Sequence, residues 1–268
     1  MDSSTEKKLA DHDRGYGDVT ARYYDDSYGT FDSLGADVSF YRGLALESGG
    51  PVLELGCGTG RALLDIASAR PEMSITGLDA SAAMLRVLAA KPGAKDLTLV
   101  RARMQDFELS GERFALVFSA FRAFQHLDDI DDQLACLRCV RRHLRPGGTI
   151  AFDVFNPRLE RLAVDEEPWR EELTFEHEGD PVTRFLRVVR DRPRQVQTIT
   201  FRYERRRAGA LLSSEEVEFT MRWFHRYELE HLMERAGFVD VRIFGDFDQS
   251  PVAPGSPAFV VVARTAET

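Results

Sequence analysis

Residues 52–60 read Val-Leu-Glu-Leu-Gly-Cys-Gly-Thr-Gly, a short, largely apolar run that ends in three alternating glycines. The run predicts a buried strand, and the glycines predict a tight turn in which the backbone approaches a ligand closely. A strand followed by such a turn is typical of sites for nucleotide-type cofactors. The spacing of the glycines and the acid at Glu54 are the two features that can distinguish between these cofactors.

The spacing of the glycines argues against a dinucleotide. The dinucleotide fingerprint G-x-G-x-x-G requires a third glycine three positions after the second, where it lets the helix pack close to its strand. Counted from Gly56 and Gly58, that position holds Arg61, and the third glycine stands instead at Gly60. A different cofactor is indicated.

The pattern along the chain predicts strands that alternate with helices. Apolar runs predict strands at 51–55, 73–78, 97–101, 114–119 and 149–154, with helical periodicity at 60–69, 81–90 and 130–144. This alternation favours right-handed βαβ units and a mostly parallel sheet covered on both faces. The Arg-Pro-Gly-Gly sequence at 145–148 predicts a helix stop and a turn into the fifth strand.

The second half of the chain changes period. Between about 170 and 222 the alternation is two residues, with β-branched and aromatic side chains, which predicts antiparallel strands. Helical periodicity returns at 227–236 before Gly237, and two further strands are predicted at 239–245 and 258–264.

Charge and composition narrow the class of protein. The net charge is −9, and the arginine-rich stretch 184–207 lies in a segment that is close to neutral overall, so nucleic acid is not expected as a ligand. No apolar run suits a membrane span, and residues 1–18 lack a signal-peptide core, which predicts a cytoplasmic protein. The pair Cys136 and Cys139 falls in mid-helix and is interpreted as core packing.

The frame Glu54-x-Gly56-x-Gly58-x-Gly60 resembles the first motif of class I S-adenosylmethionine-dependent methyltransferases. Asp79, at the end of the second strand, matches the acid that in this family faces the ribose, and one carboxylate can accept hydrogen bonds from both ribose hydroxyls. The turn at 145–148 and the closing pair of strands also resemble the family.

The resemblance implies a fold and a division of the chain. The fold class is α/β: a Rossmann-like, seven-stranded, mainly parallel sheet with an antiparallel last strand, plus an antiparallel β cap. The expected divisions are a disordered tail at 1–15, a helical lid at 16–48, a core at 49–164 and 223–268, and a cap at 165–222 inserted after the fifth strand.

The resemblance also implies a set of residues around the cofactor. These are Glu54, Gly56, Cys57, Gly58, Gly60, Asp79, Ala80, Met84, Met104, Gln105 and Ser119. The sequence departs from the family at Arg103, where an acid commonly contacts the adenine, so that Asp106 or Gln105 would have to substitute. Met104 alternatively belongs to the core.

The segment 119–127 should face the reacting methyl group. It lacks the [DN]-P-P-[YF] motif of enzymes that methylate nucleic-acid bases, and it resembles small-molecule methyltransferases of the amino-sugar N-methyltransferase type. His126 is therefore a candidate general base, because imidazole titrates near neutrality, and its alternative role is to cap the next helix. Arg122 is interpreted either as a ligand for an acceptor carboxylate or phosphate, or as the partner of Asp128 or Asp129.

Aromatic residues of the lid form a second candidate wall of the acceptor site. Tyr24 is assigned to the catalytic set, whereas Tyr23, Tyr28, Phe121 and His225 are assigned to substrate binding. Ordinary amphipathic packing explains the same tyrosines equally well, and a helix cap explains His225.

These observations predict methyl transfer from S-adenosylmethionine to a small-molecule acceptor, with an amine nitrogen favoured because no oxygen-activating dyad or metal site is visible. The alternatives are O-methylation of a small molecule, S-adenosylmethionine binding without methyl transfer, and a nicotinamide oxidoreductase. No metal, nucleic acid or membrane is expected as a partner, and a homodimer is left open.

Overall fold

The structure is a computed structural model that describes residues 15–29, 35–111 and 113–267. The tail predicted to be disordered at 1–15 lies outside these residues except for Gly15. Residues 30–34 of the expected lid at 16–48 also lie outside them.

The described elements follow the predicted alternation. In chain order they are α1 (Asp18–Tyr28), α2 (Gly35–Ser48), β1 (Val52–Leu55), α3 (Arg61–Ala69), β2 (Ile75–Asp79), α4 (Ala82–Ala89), β3 (Thr98–Arg101), β4 (Phe114–Ser119), α5 (Ile130–His143), β5 (Leu144–Phe155), α6 (Leu159–Leu162), β6 (Glu166–His177), β7 (Asp180–Asp191), β8 (Val196–Arg207), β9 (Ala210–Arg222), α7 (Arg226–Arg235), β10 (Val239–Phe244) and β11 (Ala258–Arg264). Short 3-10 helices at Ala94–Asp96 and Ala123–His126 complete the set.

The larger sheet has seven strands in the order β10-β11-β5-β4-β1-β2-β3. Strands β5, β4, β1, β2 and β3 are parallel neighbours, and β11 runs antiparallel to both β5 and β10. The strand order reverses at β1, so the carboxyl ends of β1 and β4 flank the crevice in which such sheets bind ligands. The predicted fold class is confirmed.

The turn predicted at 145–148 lies inside a strand. The Arg-Pro-Gly-Gly sequence ends the preceding helix as expected, but β5 already begins at Leu144 and continues through these residues. A register shift between Phe114 and Leu116 of β4 absorbs the irregularity, and Gly147 has a positive φ of 68°. Between the pairings of Phe114 and Leu116, β5 has three more residues than β4, so the predicted turn takes the form of a bulge within β5.

The sheet is covered on both faces. On one face, apolar residues of α5 and α7 such as Leu137 and Leu229 pack against Leu53 and Val117. On the other face, Tyr41 of α2 and Ile66 of α3 belong to a second cluster. This burial on both sides explains why the parallel strands read as nearly continuous apolar runs.

The cap is a separate four-stranded antiparallel sheet in the order β6-β7-β8-β9. Along β7 the side chains alternate between buried and more exposed, so that Leu186 and Val188 lie on the buried side. This buried side packs with Tyr23 of α1 in a third apolar cluster. The alternation follows from the two-residue period of a strand.

Gly60 illustrates how tightly the first turn is packed. Its φ is 84°, and a Cβ atom added there would lie 2.2 Å from Leu88 Cδ1 of α4. We expect Gly60→Ala to lower the free energy of unfolding by about 1–3 kcal/mol, because the backbone has a positive φ and the Leu88 side chain would have to move. Chemical denaturation measures this value, and an unchanged midpoint would contradict the packing argument. Gly58→Ala is the matched control, because an added Cβ there meets no atom within 4 Å.

The three cysteines are buried free thiols, and Cys136 and Cys139 lie within α5 in the core. None of the described helices is long and apolar enough to cross a membrane. Within the described ranges, no group of three or more His, Cys, Asp and Glu side chains is suited to hold a metal ion.

Candidate active site

A cavity of about 660 Å³ lies at the carboxyl ends of β1, β2 and β4. Its volume is in the range of small-molecule sites. Its walls come from the lid, from the loops of the core, and from the buried side of the cap. Three separate stretches of chain therefore meet at one site.

The glycine loop after β1 forms the floor of this cavity. Gly58 has a positive φ of 54°, and a Cβ atom added there would project into open space with no atom within 4 Å. Its backbone N donates a hydrogen bond of 2.8 Å to Asp79 Oδ2. The loop thus leaves room for a ligand to approach the backbone, which a side chain would obstruct.

Asp79 is held in position from two sides. Besides the bond from Gly58, its Oδ1 accepts a hydrogen bond of 2.8 Å from the backbone N of Ser81, which is the N-cap residue of α4. A carboxylate has about four lone-pair sites, and Asp79 lines the cavity. Its fixed orientation suits a vicinal diol.

Glu54 is the most unusual carboxylate of the site. It is 3% exposed, it lines the cavity, and its Oε2 has no hydrogen-bond partner among the described residues. Burial raises the pKa of Glu54 well above its ordinary value, Asp79 raises it further, and Arg61 opposes the shift. A buried carboxylate oxygen without a donor fits a ligand with a cationic nitrogen, such as the ammonium of S-adenosylmethionine.

We expect Glu54→Gln to change stability and affinity in opposite directions. A carboxyl group with a raised folded-state pKa stabilises the fold less as pH rises from its unfolded pKa toward its folded pKa, and glutamine removes this loss. The free energy of unfolding without ligand should therefore rise near neutral pH, by about 1.4 kcal/mol for each unit of the shift. Affinity for S-adenosylmethionine should fall, because the ionised carboxylate is lost.

Two measurements check this prediction. Denaturation of the ligand-free protein from pH 4 to 8 should show a smaller pH dependence for the variant. Calorimetry with S-adenosylmethionine should show that affinity rises with pH in the wild-type protein and is flatter in the variant. Equal affinities at neutral pH would contradict the assigned role of Glu54.

The opposite end of the cofactor region is apolar. The cavity is lined here by Ala80 and Met84 at α4 and by Ala102 and Met104 after β3. Apolar side chains at this place suit an adenine ring. Met104 also belongs to the core cluster, so the core interpretation is confirmed, and its contact with the cofactor stays a prediction.

Three residues of the predicted cofactor set lie outside the cavity lining. Gln105 Nε2 donates to Asp132 Oδ2 at 2.9 Å, and Ser119 Oγ donates to the Leu55 carbonyl at 3.0 Å. Gly60 serves the packing of α3 against α4. The assignment of these three residues to the cofactor is therefore corrected: Gln105 and Ser119 lie in the predicted neighbourhood but their side chains bind elsewhere, and Gly60 is used for packing.

Arg103 does not replace the missing adenine acid. It is 9% exposed and lies 3.4 Å from Asp132 Oδ2 and 3.7 Å from Asp106 Oδ2. Neither Arg103 nor Asp106 lines the cavity. The wall at this point is formed by Ala102 and Met104.

Arg61 was missed as a site residue. Its Nη1 donates to Asp37 Oδ1 of α2 at 2.8 Å, and its Cζ lies 5.0 Å from the centre of the Phe121 ring. It lines the cavity close to Glu54. Arg61 stands where the dinucleotide fingerprint has its third glycine. It therefore links the lid, the glycine loop and the loop after β4 through its contacts.

The loop after β4 has a strained shape that β5 supports. Phe121 and Arg122 have positive φ values of 55° and 66°, which residues with a side chain adopt rarely. Asp153 of β5 accepts hydrogen bonds from both backbone N atoms, at 2.8 and 3.1 Å, and a third from Tyr41 Oη at 2.8 Å. Burial raises the pKa of Asp153 to about 6, and the Tyr41 hydrogen bond opposes the shift.

His126 ends the short helix that follows this loop. Its Nδ1 lies 2.9 Å from the Thr220 carbonyl of β9, and its Nε2 lies 3.0 Å from Tyr16 Oη. Because a carbonyl only accepts, Nδ1 carries the proton, and Nε2 of the neutral ring accepts from the Tyr16 hydroxyl. The side chain of Asp129 caps α5 by accepting from Asp132 N, so a capping role for His126 is wrong.

Arg122 lines the cavity and is exposed. Its Cζ lies 5.9 and 6.0 Å from the ring centres of Phe121 and Phe155. Asp128 accepts from Thr220 Oγ1 at 2.7 Å. Arg122 is thus placed at the site with its guanidinium close to two aromatic side chains.

The lid contributes three tyrosines to the cavity. Tyr24 and Tyr28 share one face of α1, with ring centres 4.7 Å apart, and Tyr16 precedes the helix. The ring of Tyr28 also contacts that of Phe121 at 5.1 Å. Tyr16 was not identified from the sequence because it lies outside the amphipathic pattern of α1.

Two predicted substrate residues lie elsewhere. Tyr23 is 1% exposed and packs against Phe175, His177 and Tyr203 of the cap, because adjacent helical residues point about 100° apart. His225 is exposed at the N-cap of α7, where its backbone N donates to Glu228 Oε2 at 3.3 Å. Both assignments to the acceptor site are corrected.

Comparison with known proteins relates part of this chain to methyltransferases. Residues 52–148 match the family model of a methyltransferase domain. A trans-aconitate 2-methyltransferase from Deinococcus radiodurans is 44% identical over 104 residues, which are 38% of this chain and 37% of that protein. The curated relatives are matched over roughly half of their own lengths, from 37% to 58%.

Solved structures extend the likeness to the whole fold. The CcbJ methyltransferase from Streptomyces caelestis has a TM-score of 0.77 and 26% identity, with 95% of this chain and 99% of that chain covered. The amino pentose methyltransferase CalS10 from Micromonospora echinaspora has a TM-score of 0.69 and 23% identity, with 90% and 96% covered, and shares the fold.

Residues 52–148 thus match a methyltransferase domain, and the chain has the fold of class I S-adenosylmethionine-dependent methyltransferases. S-adenosylmethionine as the cofactor is confirmed at the level of this class, and the nicotinamide oxidoreductase alternative is wrong. Other curated relatives are named for O-, N- and C-methylation, so the family match does not select the acceptor atom.

Proposed function

We propose that this protein transfers the methyl group of S-adenosylmethionine to an amine nitrogen of a small molecule. The observation that carries the proposal is one cavity whose lining includes both the glycine loop with its buried Glu54 and the proton-accepting Nε2 of His126. The first group suits the cofactor and the second suits an acceptor that must lose a proton.

The residues that would hold the cofactor are those that line the cavity around the glycine loop. Glu54 offers a carboxylate to the ammonium, Asp79 offers one to the ribose hydroxyls, and Met84 and Met104 offer an apolar wall to the adenine. S-adenosylmethionine supplies, when bound, an electrophilic methyl group on a sulfonium sulfur that can be displaced in line.

His126 acts on the acceptor amine. A small amine is an ammonium at neutral pH and has no lone pair to offer, so a proton must leave before transfer. His126 Nε2 takes that proton and gives up the hydrogen bond from Tyr16, while the Thr220 carbonyl keeps Nδ1–H in place. The tautomer is fixed in advance for this step.

The lid tyrosines orient the acceptor and exclude water. Burial raises the pKa of Tyr24 well above its ordinary value, so its hydroxyl stays protonated and can donate to the acceptor. Tyr28 and Phe121 form an aromatic edge beside it. A water-poor aromatic wall favours in-line displacement over hydrolysis.

The experiment is a turnover assay in which the protein and S-adenosylmethionine are mixed with a panel of small amines and the release of S-adenosylhomocysteine is followed. Mass spectrometry of the product should place the methyl group on nitrogen. Cofactor binding without release for any acceptor would instead favour a binding protein without methyl transfer.

A second candidate, O-methylation of an organic acid, rests on the charge of the cavity. Seven arginines line it against four acidic residues, although the whole chain is acidic. Guanidinium groups hold carboxylates bidentately, and the relative from Deinococcus radiodurans is named for trans-aconitate. In the same assay, methyl ester formation on a di- or tricarboxylic acid would favour this candidate over the amine.

A further inference from the structure

The wall that the cap presents to the cavity contains a deeply buried arginine. Arg184 on β7 is 2% exposed, and its Nε donates to Glu172 Oε2 on β6 at 2.8 Å. The Nη1 atom of Arg184 is buried and has no hydrogen-bond partner among the described residues. A buried guanidinium N–H without an acceptor is unfavourable until a ligand supplies one.

Aromatic rings fix the position of this guanidinium. The Arg184 Cζ lies 4.3 Å from the ring centre of Phe201 in the cap and 5.0 Å from that of Tyr28 in the lid. Arg184, Glu172, Phe201 and Tyr28 all line the cavity. A guanidinium that is bound through Nε and held near two rings has little freedom to turn, so its remaining N–H groups have fixed directions.

The pair of charges restricts which ligand group fits. An anionic ligand group would be attracted by Arg184 but repelled by the Glu172 carboxylate. A cationic group would be attracted by Glu172 but repelled by Arg184. A neutral hydroxyl satisfies both residues, because it accepts from an N–H and donates to a carboxylate oxygen, and Glu172 retains acceptor capacity beside its bond to Arg184. The charge-balanced pair therefore favours a hydroxyl group.

We propose that Arg184 and Glu172 form a hydroxyl-binding subsite that selects acceptors carrying a hydroxyl group in addition to the methylated amine. This inference rests on the proposed function for the role of the amine, and it adds the cap residues that determine specificity. The same two strands carry a second arginine–glutamate pair that is not at the cavity. Arg187 of β7 binds Glu166 of β6 at 2.9 Å, but Arg187 is 40% exposed and lies outside the cavity lining.

The test measures the binding of matched probes to the protein saturated with S-adenosylhomocysteine. The probes are cyclohexylamine, the 2-, 3- and 4-aminocyclohexanols, and the corresponding aminocyclohexanecarboxylates, which vary the position of the second group. Calorimetry should show that at least one aminocyclohexanol binds about tenfold more tightly than cyclohexylamine.

Three variants assign this preference to residues. Arg184→Lys and the isosteric Glu172→Gln should each remove most of the preference, whereas Arg187→Lys should retain it, and all three should bind S-adenosylhomocysteine as the wild type does. The inference is overturned if no aminocyclohexanol binds more tightly than cyclohexylamine, if a carboxylate probe binds best, or if the preference persists in both Arg184→Lys and Glu172→Gln.

The subsite and the proposed function can fail separately. Tight binding of an aminocyclohexanol without its methylation would leave the subsite standing and contradict amine methylation. Methylation of cyclohexylamine with a kcat/KM equal to that of every aminocyclohexanol would support the proposed function and overturn the subsite.

Discussion

Replacing His126 by alanine is expected to slow methyl transfer by a factor of about 10² to 10⁴, which is the usual contribution of a positioned proton acceptor. Affinity for S-adenosylhomocysteine should stay the same, because His126 contacts Tyr16 and Thr220 and belongs to the acceptor side of the cavity. Single-turnover kinetics and calorimetry measure the two quantities separately.

The pH profile adds a second readout for His126. Because a free amine no longer needs a proton acceptor, the rate deficit of His126→Ala should shrink as the pH is raised toward the pKa of the acceptor ammonium. His225→Ala is the matched control, since that histidine is exposed at the N-cap of α7 and should leave rate and profile unchanged. An unaltered rate in His126→Ala would remove this residue from the chemistry.

Replacing Asp79 by alanine is expected to weaken the binding of S-adenosylmethionine by tenfold or more. Hydrogen bonds to a charged group contribute about 1.5–3 kcal/mol, and Asp79 also orients the glycine loop through its bond to Gly58 N. The variant loses the ribose contact and the fixed loop together, so the effect on affinity should exceed that on the rate at saturating cofactor.

Asp106→Ala is the control for Asp79→Ala. Asp106 follows β3, where an adenine contact was considered, but it is half-exposed and lies outside the cavity lining. Calorimetry should give wild-type affinity for this variant. If Asp79→Ala binds as tightly as Asp106→Ala, the assignment of Asp79 to the ribose is wrong.

The parts of the site that follow from local spacing could be predicted from the sequence. Glu54, Gly56, Gly58 and Asp79 all stand at the ends of strands whose apolar pattern is clear, and parallel strands bring those ends together at one edge of the sheet. The same reasoning gave the seven strands and the antiparallel cap.

The errors share a physical cause, which is the direction of a side chain within a correctly predicted neighbourhood. Ser119 ends β4 beside the cavity, yet its hydroxyl points to the Leu55 carbonyl of the adjacent strand. Tyr23 and Tyr24 are neighbours on α1, but only Tyr24 faces the cavity, because one helical residue turns the side chain by about 100°.

The cap residues could not be predicted because their role depends on long-range packing. A two-residue period shows that Arg184 and Leu186 share one side of β7, but not that this side closes over the cofactor crevice. The contact between Tyr16 and His126 joins residues 110 positions apart in the chain. No local pattern carries information of that kind.

The support of the loop after β4 by Asp153 has a consequence for the evolution of this protein. The backbone shape at Phe121 and Arg122 is imposed by a carboxylate on the neighbouring strand, and their own side chains do not specify it. Substitutions at these two positions can therefore change the side chains that contact the acceptor while the backbone conformation of the loop is kept. New acceptors can be acquired in small mutational steps, as long as position 153 keeps its acid.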